Sequence, residues 1–337
     1  MLKKVGKLII GISIAAVMGL GLAACSDDNG GNGSGSGSGS GTGSGSGTTT
    51  TAGSGATTGS GTTTGSGTAT DTGNDAGIEG EIAVFTREDG SGTRVAFVEI
   101  ADITIDGNDN ITLEAVVAPG TSVMMTNVAD NPMSIGYAST GVALADDRVK
   151  VLSINGVAPT VENMLNGTYP LQRPFLIAFN TEEGMSPLAQ DFIDFIMSEQ
   201  GQEIVSNRGY VPAVPTGAPQ YTPSGLTGSI VVNGSSSLYS LMGHLREAFE
   251  ALNPGVRVDV HGAGTGHGIS AVRDGLADIA LSSRDLRDTE LEFLTPMTIA
   301  IDGIAVIIHP TNTIDSLTLE QVREIFLGSV TEWATVR

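Results

Sequence analysis

Four times along the chain a short β-branched stretch runs into a corner of glycine and hydroxyl residues and then into an amphipathic stretch. A repeated strand, corner and helix can bury its apolar faces only as an α/β protein with a mostly parallel sheet. The alternation marks strands over residues 82–85, 149–154, 175–179, 229–232, 256–260, 279–281 and 304–308. Helical spacing marks residues 95–101, 187–198, 238–251, 269–276 and 319–327. Leu238, Leu241, Leu245, Phe249 and Leu252 form one apolar stripe that reads as core, and Trp333 and the Met124-Met125 pair read as packing residues.

The corners carry the chemistry. After the first strand comes Arg87-Glu88-Asp89-Gly90-Ser91-Gly92-Thr93. Its glycines permit a tight turn with exposed N–H groups, and Ser91 and Thr93 add hydroxyl donors at a helix N-terminus. Arg87 can offer a planar fork to two oxygens, with Asp89 orienting it from behind. A second strand ends in Asn233-Gly234-Ser235-Ser236-Ser237, three serines where an N-cap needs one. A third leads into Gly262-Ala263-Gly264-Thr265-Gly266-His267-Gly268, with the helix expected to open at Ile269. That loop fails as a dinucleotide fingerprint, because His267 falls where the third glycine belongs. The fourth strand ends in Ser282-Ser283-Arg284-Asp285. Ligands of parallel α/β sheets bind at the carboxyl ends of strands. Four convergent corners of this kind describe a site for a small tetrahedral oxyanion held by hydrogen bonds.

The N-terminal residues obey other rules. Lys3, Lys4 and Lys7 precede an apolar run, residues 8–22, too short for a comfortable membrane span, so residues 1–24 read as a secretory signal. The run ends in Leu22-Ala23-Ala24-Cys25, which resembles a bacterial lipoprotein box with Cys25 as the lipidated residue; a plain signal peptide with an incidental cysteine is the alternative. Residues 25–79 are read as a disordered tether, almost wholly Gly, Ser and Thr from Asn29 to Thr72, with no apolar surface to offset the entropy of ordering. A flexible coil of about 45 such residues reaches roughly 35–40 Å. Cleavage before Cys25 removes three lysines and takes the net charge from −21 to −24. So acidic a chain is no general nucleic-acid binder, and any anion must be caught by local geometry against the overall field. One cysteine excludes a disulfide scaffold, and four scattered histidines give no zinc spacing. No metal or cofactor is expected.

Taken together, the corners resemble those of the phosphate-binding proteins that feed phosphate-specific ABC transporters, the PstS-like periplasmic binding proteins. The matching segments are Thr86 to Arg94, Asn233 to Ser237, Gly262 to Gly268, Asp278 to Arg284 and Ile301-Asp302-Gly303-Ile304-Ala305-Val306. Weaker matches are Ile135-Gly136-Tyr137, Asn166 to Pro170 with Arg173-Pro174, and Gly209-Tyr210-Val211-Pro212. Their order is exchanged, since the segment that opens the usual family member, like residues 228–237 here, follows the segment that usually lies in its second half. The resemblance implies a circularly permuted chain with new ends at Glu81 and near residues 333–336; a truncated tandem duplication would instead repeat a motif, and each occurs once.

The resemblance also implies a bilobal fold with strands crossing a hinge at residues 173–179 and 301–308. One lobe is then residues 80–172 plus 304–337, the other 173–303. Inorganic phosphate would sit between them, held by Arg87, Ser91, Gly92 and Thr93 from one lobe and Ser236, Ser237, Thr265 and Ser283 from the other, with Asp89, Gly266 and Arg284 in support. Ser283 stands where some members have a carboxylate that accepts the phosphate proton, which puts selection against sulfate in question. Arg284 either joins the site or pairs with Asp285. The function implied is a monomeric, lipid-anchored receptor on the outer face of the cytoplasmic membrane that passes phosphate to ABC permease subunits. A phosphate-ester hydrolase and a non-transport anion sensor are the alternatives, the hydrolase lacking any evident base except His267.

Overall fold

Period-two alternation decides the strands and divides the core. The computed structural model describes residues 78–182 and 184–336; the signal, Cys25 and nearly all of the tether lie outside the described residues. The principal elements are β1 (Ala83–Arg87), α1 (Gly92–Ile100), β2 (Val116–Ala118), α2 (Thr121–Asp130), β3 (Ser134–Ser139), α3 (Thr140–Ala143), β4 (Gln172–Asn180), α4 (Pro187–Ile196), α5 (Glu199–Asn207), β5 (Gly228–Gly234), α6 (Tyr239–Leu252), β6 (Val256–His261), α7 (Thr265–Arg273), β7 (Ile279–Ser282), α8 (Asp288–Leu291), β8 (Leu294–Ile308) and α9 (Leu319–Leu327). Along β8, Ile304, Val306 and Ile308 enter one core cluster, while Ala305 and Ile307 enter another on the opposite face. Along β4 the same holds for Phe175 and Ile177 against Leu176 and Ala178.

The strands lie in the order β6-β5-β7-β4-β8-β3-β1-β2. Each flank is parallel: β5 pairs with β6 and β7, and β1 with β2 and β3. The middle is antiparallel, where β4 and β8 run against each other from Leu294 opposite Asn180 to Gly303 opposite Gln172. Two core clusters flank the β1 side, drawn from residues 82–171 and 304–336 with Val211, and two flank the β5 side, drawn from residues 175–300. In each flank the central strand carries a hydroxyl-rich corner, β1 into Arg87–Thr93 and β5 into Ser235–Ser237. The pairings of β7 with β4, β4 with β8 and β8 with β3 are all antiparallel, so β1 runs opposite to β5 and the carboxyl ends of the two flanks point toward each other, which brings both corners to the boundary between them.

Several expectations are corrected. The stretch 149–154 is no single strand but two two-residue ones, Lys150–Val151 and Ser153–Ile154. The third corner is shorter than its glycines suggest, since α7 opens at Thr265 and takes Gly266, His267 and Gly268 into its first turns. Gly268 is there for approach, because a Cβ on it would strike the Asn233 carbonyl and lie 2.6 Å from Gly234 Cα. At the ends, Glu81 and Glu332 form a bridge, and the Ile82 N–H donates to the Thr331 carbonyl at 2.7 Å.

Candidate functional site

Arg87 closes β1 with its side chain 2% exposed, and its own N–H is fixed by the Tyr137 hydroxyl at 3.1 Å. Burial pushes that phenol up to about 12, against the hydrogen bonds from Thr86 and Arg87, so it stays a neutral donor and acceptor. The guanidinium is gripped by Glu88, Nε to Oε2 at 2.8 Å and Nη2 to Oε1 at 2.6 Å. Its remaining edge reaches across the boundary through Nη2, which donates to Ser236 Oγ at 2.9 Å, while Nη1 donates to Thr121 Oγ1 on its own side at 3.3 Å. Burial pushes the Glu88 carboxyl up, but the hydrogen bonds and charge of Arg87, with the Gly120 N–H at 3.0 Å, outweigh it and leave it below the usual carboxylate range.

Around this fork the hydroxyls interlock. Thr93 Oγ1 and Ser237 Oγ are 2.7 Å apart, and Thr121 Oγ1 lies 3.2 Å from Ser236 Oγ and 3.4 Å from Ser237 Oγ. Ser235 Oγ donates to Ser283 Oγ at 2.9 Å, and the Ser283 N–H donates to Thr265 Oγ1 at 3.4 Å. Thr93, Thr121, Ser237, Thr265 and Ser283 are all buried. Helices α1, α2 and α7 begin at Gly92, Thr121 and Thr265, so three helix N-termini with their positive dipole ends meet at the cluster. Arg87 and Glu88 cancel in charge, and what remains is a dense set of donors and dipoles suited to a small oxyanion.

Most of this set was named from the sequence, and the structure places the other named residues around it rather than in it. Ser91 is buried but spends its oxygen as the N-cap of α1, accepting from the Arg94 N–H at 3.3 Å. Gly92 is the point of closest approach, where a Cβ would collide with Thr265 Oγ1 and lie 2.7 Å from Ser283 Oγ. Gly266 donates its N–H to the Gly90 carbonyl at 3.1 Å, a backbone seam between the two flanks. Asp89 does not support Arg87: it is fully exposed and reaches Arg94 at 3.4 Å, because the turn through Gly90 (φ +81°) aims Glu88 inward and Asp89 outward. Arg284 does not enter the cluster: its guanidinium is bidentate with Glu290 at 2.7 and 2.8 Å and bonds the Asp285 carbonyl oxygen. The residues missed are Glu88, passed over for its neighbour Asp89, and Thr121, whose only signal was Pro119-Gly120-Thr121 ahead of a helical stripe.

The geometry at Gly92 makes a prediction. Gly92→Ala should weaken oxyanion binding about 10- to 100-fold by holding α1 away from α7, with thermal unfolding little changed, because overpacking of one methyl costs about 1–3 kcal/mol only while the halves are pressed together. Titration calorimetry beside a melting curve checks it; unchanged affinity would mean the two halves need not meet at this point.

Comparison with known proteins agrees with this architecture. The profile of the PBP superfamily domain matches residues 66–200 and 216–335. Phosphate-binding protein PstS 2 of Streptococcus pneumoniae serotype 4 is 40% identical over 262 residues, 77% of this chain and 88% of that protein. Phosphate-binding protein PstS of Bacillus subtilis is 34% identical over 140 residues, 40% of this chain and 43% of that protein. The crystal structure of a phosphate ABC transporter phosphate-binding protein from Streptococcus pneumoniae TIGR4 superposes with a TM-score of 0.62 at 40% identity, covering 77% of this chain and all of that one. The chain therefore belongs to the PBP superfamily and, within it, to the family of the PstS phosphate-binding proteins.

Proposed function

We propose that this protein captures inorganic phosphate between two lobes and delivers it to the permease of an ABC transporter. The observation that carries the reading is the buried cluster in which Arg87, Thr93 and Thr121 from the β1 side meet Ser236, Ser237, Thr265 and Ser283 from the β5 side. A tetrahedral anion has acceptor oxygens in four directions, and this set offers donors from both sides. Ser91 and Gly92 contribute through the turn they shape, and Gly266 through the seam. The lobes we assign are residues 80–172 plus 304–337 and 173–303, which agrees with the way the core clusters divide. Hinge closure about the ligand is the expected motion.

The same reading includes a monomer anchored through lipid on Cys25 at the outer face of the cytoplasmic membrane. Among the described residues no helix is long and apolar enough to cross a membrane. It also includes a circular permutation relative to the usual family order. One observation favours that order: Glu81 and Glu332, beside the proposed new ends, are bridged. The hydrolase alternative is disfavoured because the cluster hydroxyls pair with one another and with a guanidinium rather than with a base that could activate them.

Calorimetric titration with phosphate, sulfate and arsenate is the test. Phosphate should bind with 1:1 stoichiometry and arsenate should compete with it. Because Glu88 is, among the described residues, the one carboxylate in contact with the fork and both its oxygens are engaged, sulfate should compete as well. Heat with sulfate and none with phosphate would reverse the assignment, and turnover of a phosphate ester would favour the hydrolase.

A further inference from the structure

The side chains bordering the cluster on its outer side form a second feature. A groove of about 420 Å³ lies between the two flanks, with Gly90 on one wall and Gly266, Arg273, Arg284 and Arg287 among the residues on the other. Its lining continues the cluster residue by residue: Gly90 precedes Ser91, Gly266 follows Thr265, and Arg284 follows Ser283. What separates groove from cluster at this point is the Gly266 to Gly90 backbone hydrogen bond at 3.1 Å, so parting the halves there would join the two spaces.

The charge of this groove is opposite to that of the chain. Three of 16 basic residues line it, in a protein with 37 acidic ones. One carboxylate, Glu290, is present, and both its oxygens are engaged by the Arg284 guanidinium, Oε2 also by the Arg287 N–H at 2.8 Å. Arg273 meets Asp274 at 2.9 Å, but both are about half exposed, so solvent screens the pair and leaves the arginine free to reorient. The Arg287 side chain is exposed and forms no ion pair within 4.0 Å among the described residues. Beyond a Debye length of about 8 Å at physiological salt the acidic surface is largely screened, whereas charges lining a cleft act on whatever enters it.

We propose, resting on the phosphate-binding reading above, that this groove is an anion-gathering vestibule: Arg273 and Arg287 collect a tetrahedral oxyanion and pass it across the Gly90–Gly266 seam to Arg87, while Arg284, locked by Glu290, forms the wall. The vestibule sets the rate of capture and leaves the rate of release to the hydroxyl cluster.

The test is stopped-flow binding of inorganic phosphate to the full chain and to an Arg273→Gln/Arg287→Gln variant, across a salt series. The association rate constant should fall about five- to tenfold at low ionic strength, the difference should vanish near 1 M salt, and the dissociation rate constant should be unchanged. Arg287→Glu alone should slow association further than Arg287→Gln, which a loss of packing would not do. Equal association rates at low salt, or a change confined to dissociation, would overturn the vestibule while phosphate binding by the unaltered protein left the functional reading intact. If the unaltered protein bound no phosphate, both would fall.

Discussion

Replacing Arg87 with methionine should weaken phosphate binding about a thousandfold, since two charge-assisted hydrogen bonds at about 1.5–3 kcal/mol each are removed from the centre of the cluster. Among the described residues, Arg94 is turned toward Asp109 and Asp89, Arg284 is held by Glu290 and Arg173 by Asp302, so none of these three stands free to replace it. The substitution has a second effect, on Glu88. With Arg87 gone, burial acts on that carboxyl unopposed except by the Gly120 N–H, and its pKa should rise. In the unaltered protein the depressed Glu88 contributes stability that is present above its unfolded pKa and lost as the pH falls through its lower folded value; the variant should lose that contribution at neutral pH. An Arg87→Met/Glu88→Gln double variant should therefore recover thermal stability without recovering affinity. Calorimetry and melting curves from pH 3 to 8 separate the two effects, and an Arg87→Met protein with near-normal affinity would move the anion site elsewhere.

The sequence exposed the parts of this site that local chemistry dictates. A strand followed by glycines and hydroxyls and then a helix has few other readings, and β1, β5, β6 and β7 all end in the residues named from pattern alone. Thr121 escaped because its strand, Val116–Ala118, is three residues long and gives almost no alternation to detect. Glu88 and Asp89 are adjacent acids, and which one faces the guanidinium depends on a turn at positive φ that composition does not encode. Hinge strands were anticipated only through resemblance to a family, and the contact that fixes them lies beyond any local pattern: Asp302 on β8 stands opposite Arg173 on β4, 129 residues away.

That pair supports the second large prediction. Asp302 is 0% exposed and accepts five hydrogen bonds: from Arg173 Nε and Nη2 at 3.0 and 2.8 Å, from the Ser139 and Thr140 hydroxyls at 3.0 and 2.9 Å, and from the Thr140 N–H at 3.2 Å. Arg173 is equally buried, lies over the Phe175 ring at 5.2 Å, and extends Nη1 to the Ser283 carbonyl at 3.4 Å, so the ion pair ties the crossing strands to the wall of the site. Asp302→Ala leaves a buried guanidinium without its counter-charge and the Thr140 N–H without its acceptor, with only the long contacts of Ser139 to the Tyr210 hydroxyl and of Thr140 to Met164 Sδ left for the two hydroxyls, and should cost about 3–5 kcal/mol. At roughly 2–4 °C per kcal/mol for a folded region of this size, the melting temperature should drop by about 6–20 °C. Asp302→Asn should be nearly as damaging, since its amide would turn donors toward donors. Arg173→Met/Asp302→Ala should restore much of the loss, because removing both charges also removes the cost of burying either one. A single variant that melts within 2 °C of the unaltered protein would mean that the crossing strands are held by packing alone.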